Sequence, residues 1–126
     1  MTTDYRTPAA KVRGLGASGH GTAHFISQRV TSIALFFLIP VFVWMLATSG
    51  APDPAAMRAF LASPSGAIVT LLTLTAGFHH MRSGLQVVIE DYVHKAGMKT
   101  LLLLGNTFLT LGLWLVTVFA LVKLAL

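Results

Sequence analysis

Three long apolar runs, residues 30–47, 67–89 and 101–126, fill more than half of this 126-residue chain. Each approaches or exceeds the roughly 20 residues that a helix rising ~1.5 Å per residue needs to cross a hydrocarbon layer of about 30 Å. With 55% of residues hydrophobic, only 10% charged and a mean hydropathy of +0.76, too few charges remain to clothe a soluble globule. Disorder fails for the opposite reason, because so apolar a chain has ample surface to bury. There is no cysteine. Disulfides, thiolate metal sites, iron–sulfur ligation and thiol nucleophiles are therefore outside this chain's own chemistry. The expected fold is an all-α membrane protein with three transmembrane helices, over about residues 27–48, 66–93 and 99–125.

Residues 1–24 are rich in Gly, Ser, Thr and Ala, with Gly14, Gly16, Gly19 and Gly21 close together, and read as a flexible arm ahead of a three-helix anchor over residues 25–126. The first apolar run starts too late and is too long for a signal peptide, so no cleavage is expected. Thr31, Ser32 and Pro40 interrupt that run but are tolerated in a lipid-embedded helix. Gly50, Pro52, Pro54 and Pro64, with Asp53 and Arg58, mark a loop holding a short helix over residues 54–61. Lys123 near the far end can bring its ammonium to the interface along its apolar stem.

The formal net charge of +5 is unevenly placed. Arg6, Lys11, Arg13 and Arg29 precede the first run, and Lys95 and Lys99 lie between the second and third; Arg58 and Lys123 fall on the other side. By the positive-inside rule the amino terminus is cytoplasmic and the carboxyl terminus outside. The basic patch is too sparse for nucleic acid, which is not expected as a partner. Three helices are too few to enclose a substrate path, so partner chains are expected, in a larger helical bundle.

The second run carries the chemistry. His79, His80 and Arg82 lie within it, where an ionisable group costs about 2.5–3.5 kcal/mol on insertion scales before compensation. On a helix, Thr73, Gly77, His80, Gly84, Val87 and Asp91 recur at intervals of four and three and share one stripe. Gly77 and Gly84 flank His80 with small surfaces, which admits a close neighbour or something planar beside the imidazole. A neutral imidazole in such a slot suits haem iron. His79 cannot supply a second ligand to the same haem, since adjacent helical positions point about 100° apart. The first and third runs contain no histidine, so that ligand would come from a partner chain. A hydrogen bond from His80 to a Thr or a carbonyl of another helix, with no cofactor, is an equal reading of the same spacing. His79 shares a neighbouring stripe with Thr75, Arg82, Gln86 and Glu90, which reads as a polar protein contact, with Arg82 in a structural pairing.

Glu90, Asp91 and Tyr92 close the second run. Carboxylates near a helix carboxyl terminus oppose its dipole, and Tyr92 alone would serve as an interfacial anchor. A tyrosine hydroxyl beside a carboxylate can also donate to a carbonyl and relay a proton, as quinone chemistry requires. Arg29 reads either as a topology-setting charge or as a guanidinium fork for a carboxylate such as a haem propionate. The glycines of the arm follow no strand, so no dinucleotide-binding loop is expected.

The run His80-Met81-Arg82-Ser83-Gly84-Leu85-Gln86-Val87-Val88-Ile89-Glu90-Asp91-Tyr92-Val93-His94 resembles the second-helix signature of the small hydrophobic membrane anchor family of succinate dehydrogenase (respiratory complex II). There a histidine precedes a Gly by four and an Asp-Tyr pair by eleven. The stretch around Gln28-Arg29-Val30-Thr31 looks like the same family's lead into its first helix. The resemblance covers most of the chain, although the third run is generic.

What the resemblance implies is one anchor of a succinate:ubiquinone oxidoreductase that catalyses nothing alone, a multi-pass protein of the bacterial inner (cytoplasmic) membrane serving electron transport and the tricarboxylic acid cycle. His80 is then an axial ligand of haem b iron, shared with a histidine of the cytochrome b anchor subunit, and Gly84 packs against the haem. Arg29 approaches the haem propionates and the quinone region; Tyr92, supported by Asp91, binds and protonates ubiquinone. The further partners are the iron–sulfur subunit, the flavoprotein subunit and membrane lipid, with a trimer of complexes one assembly open to it. No family role attaches to His79 or Arg82. Two rivals stand beside this expectation: the anchor of a quinol:fumarate reductase, and a non-redox scaffold or transporter component in which His79, His80 and Arg82 form a packing or proton-linked cluster.

Overall fold

The apolar runs form helices. A computed structural model of the chain describes residues 5–12, 21–50 and 52–125. Its elements are α1 (Pro8–Val12), α2 (Gly21–Thr48), α3 (Pro54–Ala62), α4 (Pro64–Tyr92) and α5 (Ala96–Ala125), so that all secondary structure among the described residues is helical. Of the expected arm, residues 1–4 and 13–20, with Gly14, Gly16 and Gly19, lie outside the described residues. Residues 8–12 of the arm form α1, and α2 starts at Gly21.

The connection between α2 and α4 shows why the chain turns where it does. Gly50 takes a positive φ of 91°, a conformation that glycine adopts without a Cβ clash. Asp53 caps α3, its carboxylate accepting from the Ala56 N–H at 2.9 Å, and Pro54 follows at the first helical position. Ser63 then serves two helices. Its N–H donates to the Ala59 and Phe60 carbonyls and closes α3; its hydroxyl donates to the Phe60 carbonyl at 2.6 Å and accepts from the Gly66 N–H at 3.1 Å, opening α4. The two helix axes meet at 86°. Gly66 faces the inside of this corner, where a Cβ would collide with the Phe60 carbonyl and the Ser63 hydroxyl.

α4 is the central helix, packed by α2 on one side and α5 on the other, with α3 folded beneath α4 and α5. What is buried and what is exposed are inverted relative to a globule in water. Thr70, Thr73, Ser83, Asn106 and Thr110 are buried between helices, whereas Phe36, Phe37, Trp44, Phe108 and Phe119 face outward. Small hydroxyl and amide side chains let helices approach, and Thr73 and Thr110 donate back to the carbonyls of Val69 and Asn106, each at 2.7 Å, whereas Thr70 Oγ1 is buried with no partner among the described residues. Water would not tolerate that exterior; lipid does.

α2, over Thr22–Thr48, and α5, over Ala96–Leu124, are each long and apolar enough to cross a membrane. α4 meets the same measure only together with α3, as a bent pair, so the chain has two clear candidate spans and up to three. The reason is local: His79, His80 and Arg82, together with Thr70, Thr73 and Thr75, dilute the apolar character of α4.

Candidate functional site

Arg29, His80 and Gly84 line one cavity between α2 and α4, of about 570 Å³, together with His24, Gln28 and Val87. That is the size range of small-molecule and cofactor sites. The imidazole of His80 reaches α2, with Nδ1 at 3.1 Å from Thr31 Oγ1. Thr31 has a single hydroxyl proton, for which the Ser27 and Gln28 carbonyls, each 3.0 Å away, compete with His80. With that proton on either carbonyl, the Thr31 oxygen is the acceptor for a proton on His80 Nδ1, the tautomer that leaves a lone pair on Nε2. Nε2 has no hydrogen-bond partner among the described residues. The interhelical bond expected as the rival to ligation is present, and it uses only one of the two ring nitrogens.

The glycines of the His80 stripe leave space rather than fill a contact. Apart from its own helix, no described residue comes within 4 Å of a Cβ position at Gly77, and at Gly84 only Gln28 Nε2 does, at 4.0 Å. No neighbour among the described residues requires either residue to be glycine. The Arg29 guanidinium lies over the Phe25 ring, 5.1 Å from its centroid, which holds the charge at the cavity mouth. His24 Nε2 is buried with no partner among the described residues. A bare ring nitrogen on His80, an orphaned one on His24, a cationic fork on Arg29 and a wall kept flat by Gly84 form a donor set that fits a planar group bearing carboxylates and a metal.

Asp91 and Tyr92 are not part of this cavity. Tyr92 ends α4 and is 78% exposed, about 18 Å from His80 along the helix axis. Neither side chain has a hydrogen-bond partner among the described residues. The α4 terminus is held by Lys99, whose Nζ donates to the Glu90 carbonyl at 2.7 Å, and Gln86 donates to the Glu90 carboxylate at 2.8 Å. The cation of Lys99 offsets the unfavourable placement of Glu90 and Asp91 near the helix carboxyl end.

His79 bonds α2 through Ser27, with Nε2 and Oγ 3.1 Å apart. The rest of its stripe faces α5: Trp114 Nε1 donates to Thr75 at 2.9 Å, and Arg82 Nε lies 3.4 Å from Thr107 Oγ1. Asn106 Nδ2 donates to the Arg82 carbonyl at 2.9 Å. Arg82 thus has a hydroxyl partner, and among the described residues no carboxylate.

Sequence reasoning missed Thr31, His24 and Gln28 as site residues. They lie 49–56 positions from His80 on another helix, and periodicity within one helix does not say which face of a second helix it meets.

The model of the succinate dehydrogenase/fumarate reductase transmembrane subunit family matches residues 3–122. The chain is 28% identical over 104 residues to the succinate dehydrogenase hydrophobic membrane anchor subunit of Paracoccus denitrificans, covering 82% of this chain and 81% of that protein. It is 27% identical over 122 residues to the same-named protein of Rickettsia bellii (strain RML369-C), covering 94% and 98%, and 26% identical over 122 residues to that of Rickettsia typhi (strain ATCC VR-144 / Wilmington), again covering 94% and 98%. With a match that spans nearly its whole length, the chain belongs to the succinate dehydrogenase/fumarate reductase transmembrane subunit family.

Proposed function

We propose that this chain is the hydrophobic anchor of a succinate:ubiquinone oxidoreductase, and that it holds half of a shared haem b and one wall of the quinone-reduction site. The observation that carries the reading is that His80 spends only Nδ1 on Thr31, which leaves Nε2 without a hydrogen-bond partner among the described residues, beside Arg29 in the cavity they share. In this reading α2, α4 and α5 all cross a bacterial cytoplasmic membrane, with the amino terminus on the cytoplasmic side and α3 along the opposite surface. The cytochrome b anchor packs on the α2–α4 face. The iron–sulfur subunit, which receives electrons from the succinate-oxidising flavoprotein, docks at the cytoplasmic end.

Each residue then has a defined task. Haem b, when bound, supplies a one-electron centre between the two anchor proteins. His80 donates Nε2 to the iron, Thr31 holds the ring and its tautomer, and Arg29 neutralises propionate charge. Gly84 leaves the wall open to the macrocycle. At the end of α4, the Tyr92 hydroxyl donates to a quinone carbonyl, and Asp91 restores that proton from the aqueous side. The relatives are named for succinate dehydrogenase, which favours quinone reduction over the fumarate reductase direction.

The test is a reduced-minus-oxidised visible spectrum of the purified complex, wild type and His80→Ala. A b-type signal lost or shifted in the variant is the expected result. Absence of haem from the intact wild-type complex would overturn the ligand assignment; absence of succinate:quinone activity as well would leave the scaffold reading.

A further inference from the structure

The groove between α4 and α5 is shaped and charged for an amphiphile. Arg82 stands two residues from His80 and so points about 200° around the helix from it, away from the α2 cavity and toward α5. It lines two cavities at once. One, of about 280 Å³, is bordered by Gln86, Thr100, Asn106 and Thr107 and offers amide and hydroxyl groups. The other, of about 200 Å³, exposes mostly apolar surface and continues along the groove past Phe78, Leu111 and Trp114, with His79, Thr75 and Thr110 also on its wall. Beyond it a third slot, of about 140 Å³ between Ile68, Leu71, Val118 and Val122, is apolar throughout. Polar surface is greatest at the Gln86–Thr107 end of the groove, declines through the middle cavity and is gone at the Ile68–Val122 slot.

Depth agrees with this polarity. α3 meets α4 at 86°, so where α4 crosses the bilayer α3 lies along its surface and Pro64 marks that boundary. A hydrocarbon layer of about 30 Å spans about twenty helical residues, which sets the opposite boundary beside Arg82 and Gly84. Counting back from Thr48 on α2 reaches Arg29 at the same level. Arg82 therefore lies near the edge of the hydrocarbon layer, from which its long side chain can reach lipid phosphates; it is exposed, with a single long hydrogen bond to Thr107 and no carboxylate partner among the described residues.

We propose that this groove binds one anionic phospholipid, its phosphate held by the Arg82 guanidinium with Gln86 and Thr107, and an acyl chain laid past Leu111 and Trp114 toward the α3 side. The placement rests on the reading that α4 crosses the membrane, but not on haem or quinone. Charge selects the ligand class: a zwitterionic lipid brings its own cation to the site, and a neutral quinone leaves Arg82 without a counterion.

The experiment is native mass spectrometry of the whole complex, delipidated in detergent and titrated with phosphatidylglycerol or phosphatidylcholine of matched chains. One tightly retained phosphatidylglycerol per anchor is expected, with preference over phosphatidylcholine falling about fivefold in Arg82→Gln, the ratio that one basic side chain at an anionic surface contributes. Leu111→Trp, which fills the apolar part of the groove without touching its charge, should weaken retention of the same lipid. Equal retention of the two lipids by wild type overturns the proposal, as does unchanged preference in Arg82→Gln. Loss of a partner chain from Arg82→Gln complexes, with lipid retention by Leu111→Trp intact, would also overturn it and assign the arginine to a carboxylate of that partner. A wild-type complex that retains lipid but lacks haem leaves this proposal standing while the ligand assignment falls.

Discussion

Thr31 on α2 and His80 on α4 are joined side chain to side chain at 3.1 Å, and two carbonyls of the threonine's own helix, each 3.0 Å away, offer acceptors for its proton. With the proton on a carbonyl, the bond runs from imidazole to hydroxyl. Replacing Thr31 with Val keeps the shape and removes the acceptor, which frees the ring to rotate and leaves Nδ1–H unpaired. The expected outcome is a haem whose midpoint potential and low-spin resonance signals shift, and which dissociates about ten- to a hundredfold more readily. Thr31→Ser should restore all three. An unchanged potential and signal in Thr31→Val would show that the hydroxyl does not orient the ligand.

Gly84 and Gly66 sit on the same helix for opposite reasons, and substitutions separate them. A Cβ at Gly84 meets nothing among the described residues closer than Gln28 Nε2 at 4.0 Å, so Gly84→Ala should leave thermal stability unchanged, while the larger Gly84→Leu should fill the space beside His80 and bring haem content to background. Gly66→Ala drives a Cβ into the Phe60 carbonyl. It should destabilise the α3–α4 corner by about 1–3 kcal/mol, as overpacking does, with the visible spectrum of the folded fraction unchanged. Unfolding midpoints and haem-to-protein ratios measured on these variants test the pair.

The helices were legible because their signals are local: long apolar runs for α2 and α5, and for α3 an Asp-Pro start at Asp53-Pro54 with a second proline at Pro64. The histidine of the site was legible too, since a polar ring inside an apolar run is conspicuous and its glycine neighbours recur at helical spacing. The partners of that histidine were not. Thr31 reads in sequence as a tolerated break in a span, and nothing local distinguishes it from Thr48, whose hydroxyl also returns to its own helix. Gly66 and Asn106 escaped for the same reason, since each matters only through a second helix or a corner. Arg82 was legible as a charge needing a partner, but whether that partner was acid or hydroxyl depended on which residues α5 presents.

Four side-chain bonds join α5 to α4 among the described residues, and two of them come from Asn106, to the Arg82 carbonyl, and Trp114, to Thr75. The Arg82 carbonyl lies within the helical ladder of α4, so loss of Asn106 leaves it partly satisfied. Asn106→Leu and Trp114→Phe should each cost about 0.6 kcal/mol and no more than about 1.7, the range measured for interhelical bonds in membranes. The bonds are two turns apart on α5 and share no atoms, so the double variant should add within about 0.5 kcal/mol. A larger coupling would mean that the α4–α5 contact yields as one unit. Unfolding of the complex in mixed micelles is the readout.

Tyr92 offers the sharpest separation of structure from chemistry. It is 78% exposed and its hydroxyl bonds nothing among the described residues, so Tyr92→Phe should leave stability within about 0.5 kcal/mol. It lies about 18 Å along α4 from His80, so the haem spectrum should not move. Reduction of ubiquinone should nonetheless fall by about a hundredfold or more if the hydroxyl donates to the quinone carbonyl, the range for a positioned general acid. Succinate oxidation with a soluble dye acceptor, which bypasses the membrane site, should be unaffected. Asp91→Asn should lower the quinone rate less, because the tyrosine proton can still return through water. Quinone reduction within twofold of wild type in Tyr92→Phe would remove the tyrosine from the site and return it to the role of an interfacial anchor.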